Sequence, residues 1–186
     1  DYTLTKSKCY QWLDTLCQVA PGRLAGSQAY MDAEIYMTSV MHKMGLDKVW
    51  SQDCKAPVWK RGDKEEVKIL FDGKEESLRC LALGNSIGTE GKFISGSLIE
   101  VESLEEAEKL GSRIRDKIVF YNRPMDSKHI RTFNAYGGAV DQRVWGASIA
   151  AKNGAKAVLV RSMTTLIDTF PHTGTLIYTD SIPKIP

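Results

Sequence analysis

Residues 117–121 (K-I-V-F-Y) and 156–160 (K-A-V-L-V) are short runs of β-formers with one helical pattern between them. Over 139–153, Val140, Val144, Ala147 and Ala151 repeat at helical spacing, and Gly154 stands where a helix takes its left-handed C′ residue. Strand, helix, strand in succession predicts a right-handed parallel βαβ unit. Upstream, residues 97–101 read as another strand. Ser103 with Glu106 forms a capping box that opens a short helix ending at Gly111. The fold class is α/β, grading into α+β where helices and strands segregate.

The first third of the chain obeys a different period. Cys9, Leu13, Leu16, Cys17 and Ala20 share one helix face, and Pro21-Gly22 ends it. Ser27 is a good N-cap for a second helix, whose stripe of Tyr30, Ala33, Met37, Val40, Met41 and Met44 reads as core, with Gly45 at C′. Residues 48–59 are rich in β-formers and contain Pro57, which suggests an edge or bulged strand. Strands are expected at 67–71 and 78–83 around Asp72-Gly73, a hairpin signal. Arg61-Gly62-Asp63 matches the integrin-adhesion tripeptide, but Gly-Asp is also ordinary turn chemistry. Two last strand candidates lie at 175–179 and 182–185.

Composition narrows the function classes. The 186 residues are 42% apolar and 26% charged, the range of a folded chain. With 25 Lys+Arg against 23 Asp+Glu the formal charge is +2, which supplies no basic face for nucleic acid. No apolar run approaches the ~18 residues of a membrane span. The four cysteines, Cys9, Cys17, Cys54 and Cys80, contain no C-x-x-C pair and read as buried or half-buried thiols. Cys9 and Cys17 would stand about 12 Å apart along a helix, too far for a disulfide. His42, His129 and His172 are scattered, with no H-E-x-x-H or H-x-D pattern to hold zinc.

Few residues suggest chemistry directly. Gly84-Asn85-Ser86-Ile87-Gly88 fits the G-x-S-x-G nucleophile elbow, with Asp168 and His172 following in α/β-hydrolase order. A serine nucleophile needs a helix directly after the turn, and residues 89–96, with two glycines and β-formers, do not read as one. His172, in the turn-like P-H-T-G at 171–174, is of a type that binds substrate or shuttles protons, though a loop histidine is more often a surface residue. Arg123, Arg131 and Arg161 could bind carboxylates by their planar forks, with surface placement the plainer reading. The acidic run Glu102, Glu105, Glu106 and Glu108 reads as a solvated helix face. The long connection 122–138, rich in polar residues and glycine, is of a length that is often functional.

Several segments in order carry a resemblance. They are P-G-R-L-A-G-S at 21–27, W-K-R-G at 59–62, L-A-L-G-N-S-I-G-T at 81–89, K-I-V-F-Y-N-R-P at 117–124, G-A-K-A-V-L-V-R-S at 154–162, P-H-T-G at 171–174 and the closing I-P-K-I-P. The set resembles the zinc-dependent exopeptidases that group plasma glutamate carboxypeptidases with related bacterial aminopeptidases. The resemblance implies a zinc-peptidase domain interrupted by a protease-associated insert. Residues 1–76 would begin the peptidase domain, and 77–186 would form most of the insert, a mixed β-sheet or open barrel with flanking helices. It implies two zinc ions whose His, Asp and Glu ligands, with the general base, lie beyond this chain. No catalytic or metal-ligating residue is carried over.

By the same resemblance the segment is a non-catalytic cap that restricts the cleft to short peptides. His172 is then the expected cleft-facing residue, with Arg23 and Ser27 shaping the peptidase side. The rest of the peptidase domain is the implied partner, and the implied setting is extracellular or periplasmic. Strands at 48–71 would leave exposed edges, so a homo-oligomer is expected. Two alternatives stand beside this one. The chain could be a stand-alone protease-associated binding module for peptides or proteins, or a serine hydrolase using Ser86.

Overall fold

A computed structural model describes residues 2–166 and 168–186. The chain divides into two compact units, one ending at Lys60 and the other spanning Arg61–Pro186.

The first unit is helical: α1 (Tyr2–Lys6), α2 (Cys9–Val19) and α3 (Gln28–Lys43). Ser27 caps α3 as its residue type predicts, accepting a hydrogen bond from the Tyr30 N–H, and Gly45 takes the left-handed conformation at φ +74°. The Tyr36 hydroxyl donates to the Trp12 carbonyl and ties α3 to α2. The expected core is present only in part. On the predicted stripes Ala20 and Val40 are buried and Leu16, Ala33 and Met37 are half-buried, whereas Leu13, Tyr30, Met41 and Met44 are exposed. The helical stripe is correct as a period, and its middle rather than its whole length is covered. The thiols follow: Cys9, Cys17 and Cys54 are exposed and only Cys80 is partly covered. Residues 48–59 form no strand. Pro57 lacks a ladder donor and no neighbouring strand pairs with this run, so the basis for an associating edge is lost at these residues.

The second unit opens with a hairpin, β1 (Val67–Phe71) and β2 (Lys74–Leu78), paired antiparallel around Asp72 and Gly73, both at positive φ. The turn dipeptide is as predicted, but β2 starts at once after it rather than at Leu78. K-E-E-S-L is exposed along its whole length, so no apolar pattern marks it. The remaining elements are β3 (Leu98–Val101), α4 (Leu104–Leu110), a 3-10 turn (Gly111–Ile114), β4 (Ile118–Tyr121), α5 (Thr132–Gly137), α6 (Asp141–Lys152) and β5 (Ala157–Val160). β3, β4 and β5 form a parallel sheet in that order, with Leu98 opposite Ile118 and Ile118 opposite Ala157. The expected open barrel does not form among the described residues: the sheets are two, one of two strands and one of three. The tail forms no strand either. It contributes a single parallel bridge, Gly84 to Thr175, and its last carbonyl, on Pro186, accepts from the Val158 N–H beside β5.

The core lies between the parallel sheet and the helices α4 and α6. Val101, Val119, Tyr121, Ala107, Ile114, Ala147 and Ala150 are buried there, and Leu176 and Ile185 of the tail close it. Small residues on α6 let it approach the sheet closely. A Cβ added to Gly146 would lie 2.7 Å from Cε2 of Tyr121, whose hydroxyl donates to the Gly146 carbonyl at 3.1 Å. Burial pushes the Tyr121 phenol well above its ordinary pKa. A second, smaller cluster of Met125, Ala135 and Ala139 supports the 122–138 connection, which holds α5 rather than a plain loop.

Candidate functional site

Parallel strands bring their carboxyl ends to one edge, so the residues that leave β4 and β5 meet there. Asn122 follows β4 and Arg161 follows β5. The Arg161 Nη1 donates to Asn122 Oδ1 at 3.0 Å, and Asn122 Nδ2 donates to Glu100 Oε1 at 2.6 Å, so one hydrogen-bonded row crosses all three strand ends. Arg123 forms an ion pair with Asp141 at the start of α6. The fully buried Gln142 side chain clasps the Arg123 backbone from both sides, donating to its carbonyl at 2.7 Å and accepting from its N–H at 3.2 Å. Arg123 Nε is buried without a partner.

Outside these strand ends lies a cavity of about 600 Å³, lined among others by Arg123, Asp126, Lys128, His129, Arg161 and Leu166. This is within the usual size of small-ligand sites. Three cations line it against one carboxylate. Asp126 is turned back into its own loop, where Oδ1 accepts from the Lys128 N–H at 2.9 Å. Neither Lys128 nor Arg161 has a carboxylate partner among the described residues. Ile130, Phe133, Leu166 and Phe170 are exposed in the two segments that frame the cavity.

The P-H-T-G turn is held by backbone. The Gly84 N–H donates to the Gly174 carbonyl at 2.7 Å, and the Thr173 hydroxyl donates to the Ala82 carbonyl at 3.0 Å. His172 Nε2 lies 3.0 Å from Asp168 Oδ2, and the ring remains open to solvent. That contact, and then the Phe170 N–H, hold the Asp168 carboxyl below its ordinary value. Under the turn, a Cβ on Gly174 would come within 2.4 Å of the Arg143 Cζ, so a larger residue there would require the guanidinium to shift. Arg143 is 8% exposed, bonds the Tyr136 hydroxyl, lies 5.3 Å from that ring's centroid and keeps its Nε unpartnered.

The structure therefore places His172 on an exposed, clamped turn. It gives Arg23 and Ser27 local tasks in the first unit: Arg23 Nη1 donates to the Ala20 carbonyl at the end of α2, and Ser27 caps α3 while its hydroxyl donates to Leu24. Arg131 is exposed at the start of α5. Ser86 lacks the frame of a nucleophile elbow. Asn85 is at φ +70°, and no helix follows before β3. Sequence reasoning missed Arg143 and Gln142, although Arg143 stands one helical turn before Ala147 and two before Ala151, on the buried face of α6. A charged residue on that face was the available signal. Among the described residues no three His, Cys, Asp or Glu side chains come together in a way that could hold a metal ion, and no helix is long and apolar enough to cross a membrane.

No family model matches the chain. It is 37% identical over 181 residues to carboxypeptidase Q of Xenopus laevis, covering 97% of this chain and 36% of that protein. It is 34% identical over 185 residues to carboxypeptidase Q of Homo sapiens, covering 100% of this chain and 37% of that protein. The crystal structure of a Peptidase M28 precursor from Shewanella amazonensis SB2B matches at a TM-score of 0.90 and 28% identity, over 99% of this chain and 41% of that chain. The chain thus spans little more than a third of the curated relatives it matches.

Proposed function

Because the chain is related along its whole length to carboxypeptidase Q and to an M28-type peptidase, we propose that it is one part of a metallo-exopeptidase that cleaves short peptides. Its own task is to cap the cleft and shape access, without supplying a catalytic group. The single observation that carries this reading is the identity of 37% and 34% to carboxypeptidase Q along 97% and 100% of the chain. On this reading residues 1–76 belong with the peptidase domain and 77–186 form the protease-associated insert. The setting it implies is extracellular or periplasmic.

Zinc is the metal the reading implies; when bound it would activate a water and polarise the scissile carbonyl. The described residues offer no donor set for it. The reading assigns the zinc ligands to the further length that the relatives possess, and no step of hydrolysis is routed through this chain.

What the chain can supply is position. His172 is exposed on a turn whose backbone is fixed to Gly84 and whose hydroxyl at Thr173 is fixed to Ala82. A ring on so constrained a turn can meet a peptide without a large loss of entropy. In the full-length protein, His172→Ala raises KM or lowers kcat/KM by about three- to tenfold, the loss of roughly one hydrogen bond. Zinc content stays as in the parent. Kinetics indistinguishable from the parent would remove His172 from the cleft.

A further inference from the structure

The turn that carries His172 rests on a side chain to which the capping role gives no task. We propose that Arg143 is a positioning residue for His172: its guanidinium props the P-H-T-G turn from beneath and ties it to α5, so that the ring is presented in one place. The inference rests on the reading of His172 given above and goes beyond it by naming what fixes that ring.

Burial singles Arg143 out. It is 8% exposed, and it meets no carboxylate among the described residues. Taking a guanidinium out of water is costly unless its donors are matched. Here Nη2 donates to the Tyr136 hydroxyl, the cation stands 5.3 Å from the centroid of that ring, and Nε is buried without a partner. Methionine would fill much of the same space and leave no donor unmatched. Stability therefore does not explain the guanidinium, because an apolar side chain in place of a buried ion is often neutral or better.

Its contacts supply the explanation. On one side is Tyr136 of α5, and on the other is Gly174, the last residue of the turn. A Cβ added to Gly174 would lie 2.4 Å from Cζ, 2.6 Å from Nε and 2.7 Å from Nη1 of Arg143. Three atoms of the plane are met at once, so the flat face of the guanidinium bears on the turn. The flanks of the turn are held by other groups. The Gly84 N–H donates to the Gly174 carbonyl, the Leu176 N–H donates to the Gly84 carbonyl at 3.0 Å, and the His172 N–H donates to Ser162 Oγ at 3.1 Å. Arg143 is the support from below. A rigid, weakly hydrated plane suits that task, and the flexible ammonium of lysine does not.

Two measurements test the role. The first is amide hydrogen exchange on the purified chain. Arg143→Met keeps apolar bulk and removes the plane, and it is expected to speed exchange at the His172 and Gly84 amides about tenfold while the amides of β4 stay within about twofold. Gly174→Ala pushes on the same contact from the turn side and is the second variant. Its φ lies outside the left-handed region, so the added methyl acts on the guanidinium alone, and the same two amides exchange faster. The second measurement is the kinetics of the full-length protein. Arg143→Met lowers kcat/KM about three- to tenfold, and Arg143→Met/His172→Ala is no worse than His172→Ala, because the support has no ring left to place. A merely structural role would add its loss to that of His172→Ala. Unchanged exchange at His172 and Gly84 overturns the proposal, as does faster exchange spread equally over β4, or additive kinetic losses. Should His172→Ala itself leave the kinetics of the parent, the cleft reading fails, and the exchange data still decide whether Arg143 holds the turn.

Discussion

Tyr121→Ala lowers the stability of the Arg61–Pro186 unit by about 3–5 kcal/mol, the range for removing a buried aromatic ring. The ring is fully buried at the centre of the sheet, between Val101, Val119 and the small face of α6, and its hydroxyl is satisfied by the Gly146 carbonyl. Truncation removes the apolar burial, opens a cavity and leaves α6 without its deepest contact. Against a total of roughly 5–15 kcal/mol for a domain, this is a large fraction. The thermal midpoint should fall by roughly 10–20 °C. Tyr121→Phe keeps the ring and loses only the hydroxyl, so it should cost about 1 kcal/mol. Urea unfolding of the three proteins gives the ranking. Equal values for Phe and Ala would mean that the hydroxyl, not the packing, holds this core.

Gly146→Ala is the second large effect, and its sign opposes helix propensity. Alanine in place of glycine within a helix should gain about 1 kcal/mol. Here the added Cβ would sit 2.7 Å from Cε2 and 3.0 Å from Cδ2 of Tyr121. The ring is fully buried among packed neighbours, so overpacking is expected to outweigh propensity, with a net loss of about 2–3 kcal/mol. The double variant separates the causes. With Tyr121 already cut to alanine, the methyl enters vacated space, and Gly146→Ala becomes neutral or stabilising. A coupling of about 2 kcal/mol between the two sites is the expected reading. Additive losses would show that Gly146 is needed for a reason other than the ring.

These two residues also show how far the sequence could be read. K-I-V-F-Y, K-A-V-L-V and the helix between them are legible because a covered parallel strand leaves a short continuous apolar run, and the helix between two such runs is bounded by Gly154 at its end; the structure places all three within a residue or two. The caps at Ser27 and Ser103 were legible because one side chain satisfies one backbone donor locally. Strand β2 was not, since a hairpin arm exposed on both faces needs no apolar alternation. The 48–59 run misleads for the opposite reason. It has the composition of a strand, and strand formation needs a partner that composition does not report. The Met stripe of α3 carries the period of a core helix, yet its exposure depends on what else packs against it.

The same division holds at the site. His172 could be singled out because P-H-T-G is a short polar turn with one titratable ring. In the sequence Arg161 is only an arginine after a buried strand. Nothing in its neighbours foretold that Asn122, 39 positions earlier, would hold it at a shared sheet edge. Clefts of this kind are assembled by topology, and a linear pattern does not contain the distances. Arg143 was hidden by a stripe of small residues around it, although its charge on that face was the visible anomaly.

The proposed capping role has one direct consequence: a stretch that shapes a peptide site and leaves the metal chemistry to other residues holds no zinc of its own. The direct measurement is to incubate the purified 186-residue chain with zinc, remove loose metal by dialysis, and read both bound zinc by mass spectrometry and dipeptide hydrolysis. The capping role predicts no stoichiometric zinc and no turnover above buffer. About one zinc or more retained per chain in a closed or three-ligand site, with turnover that a chelator abolishes, would contradict it.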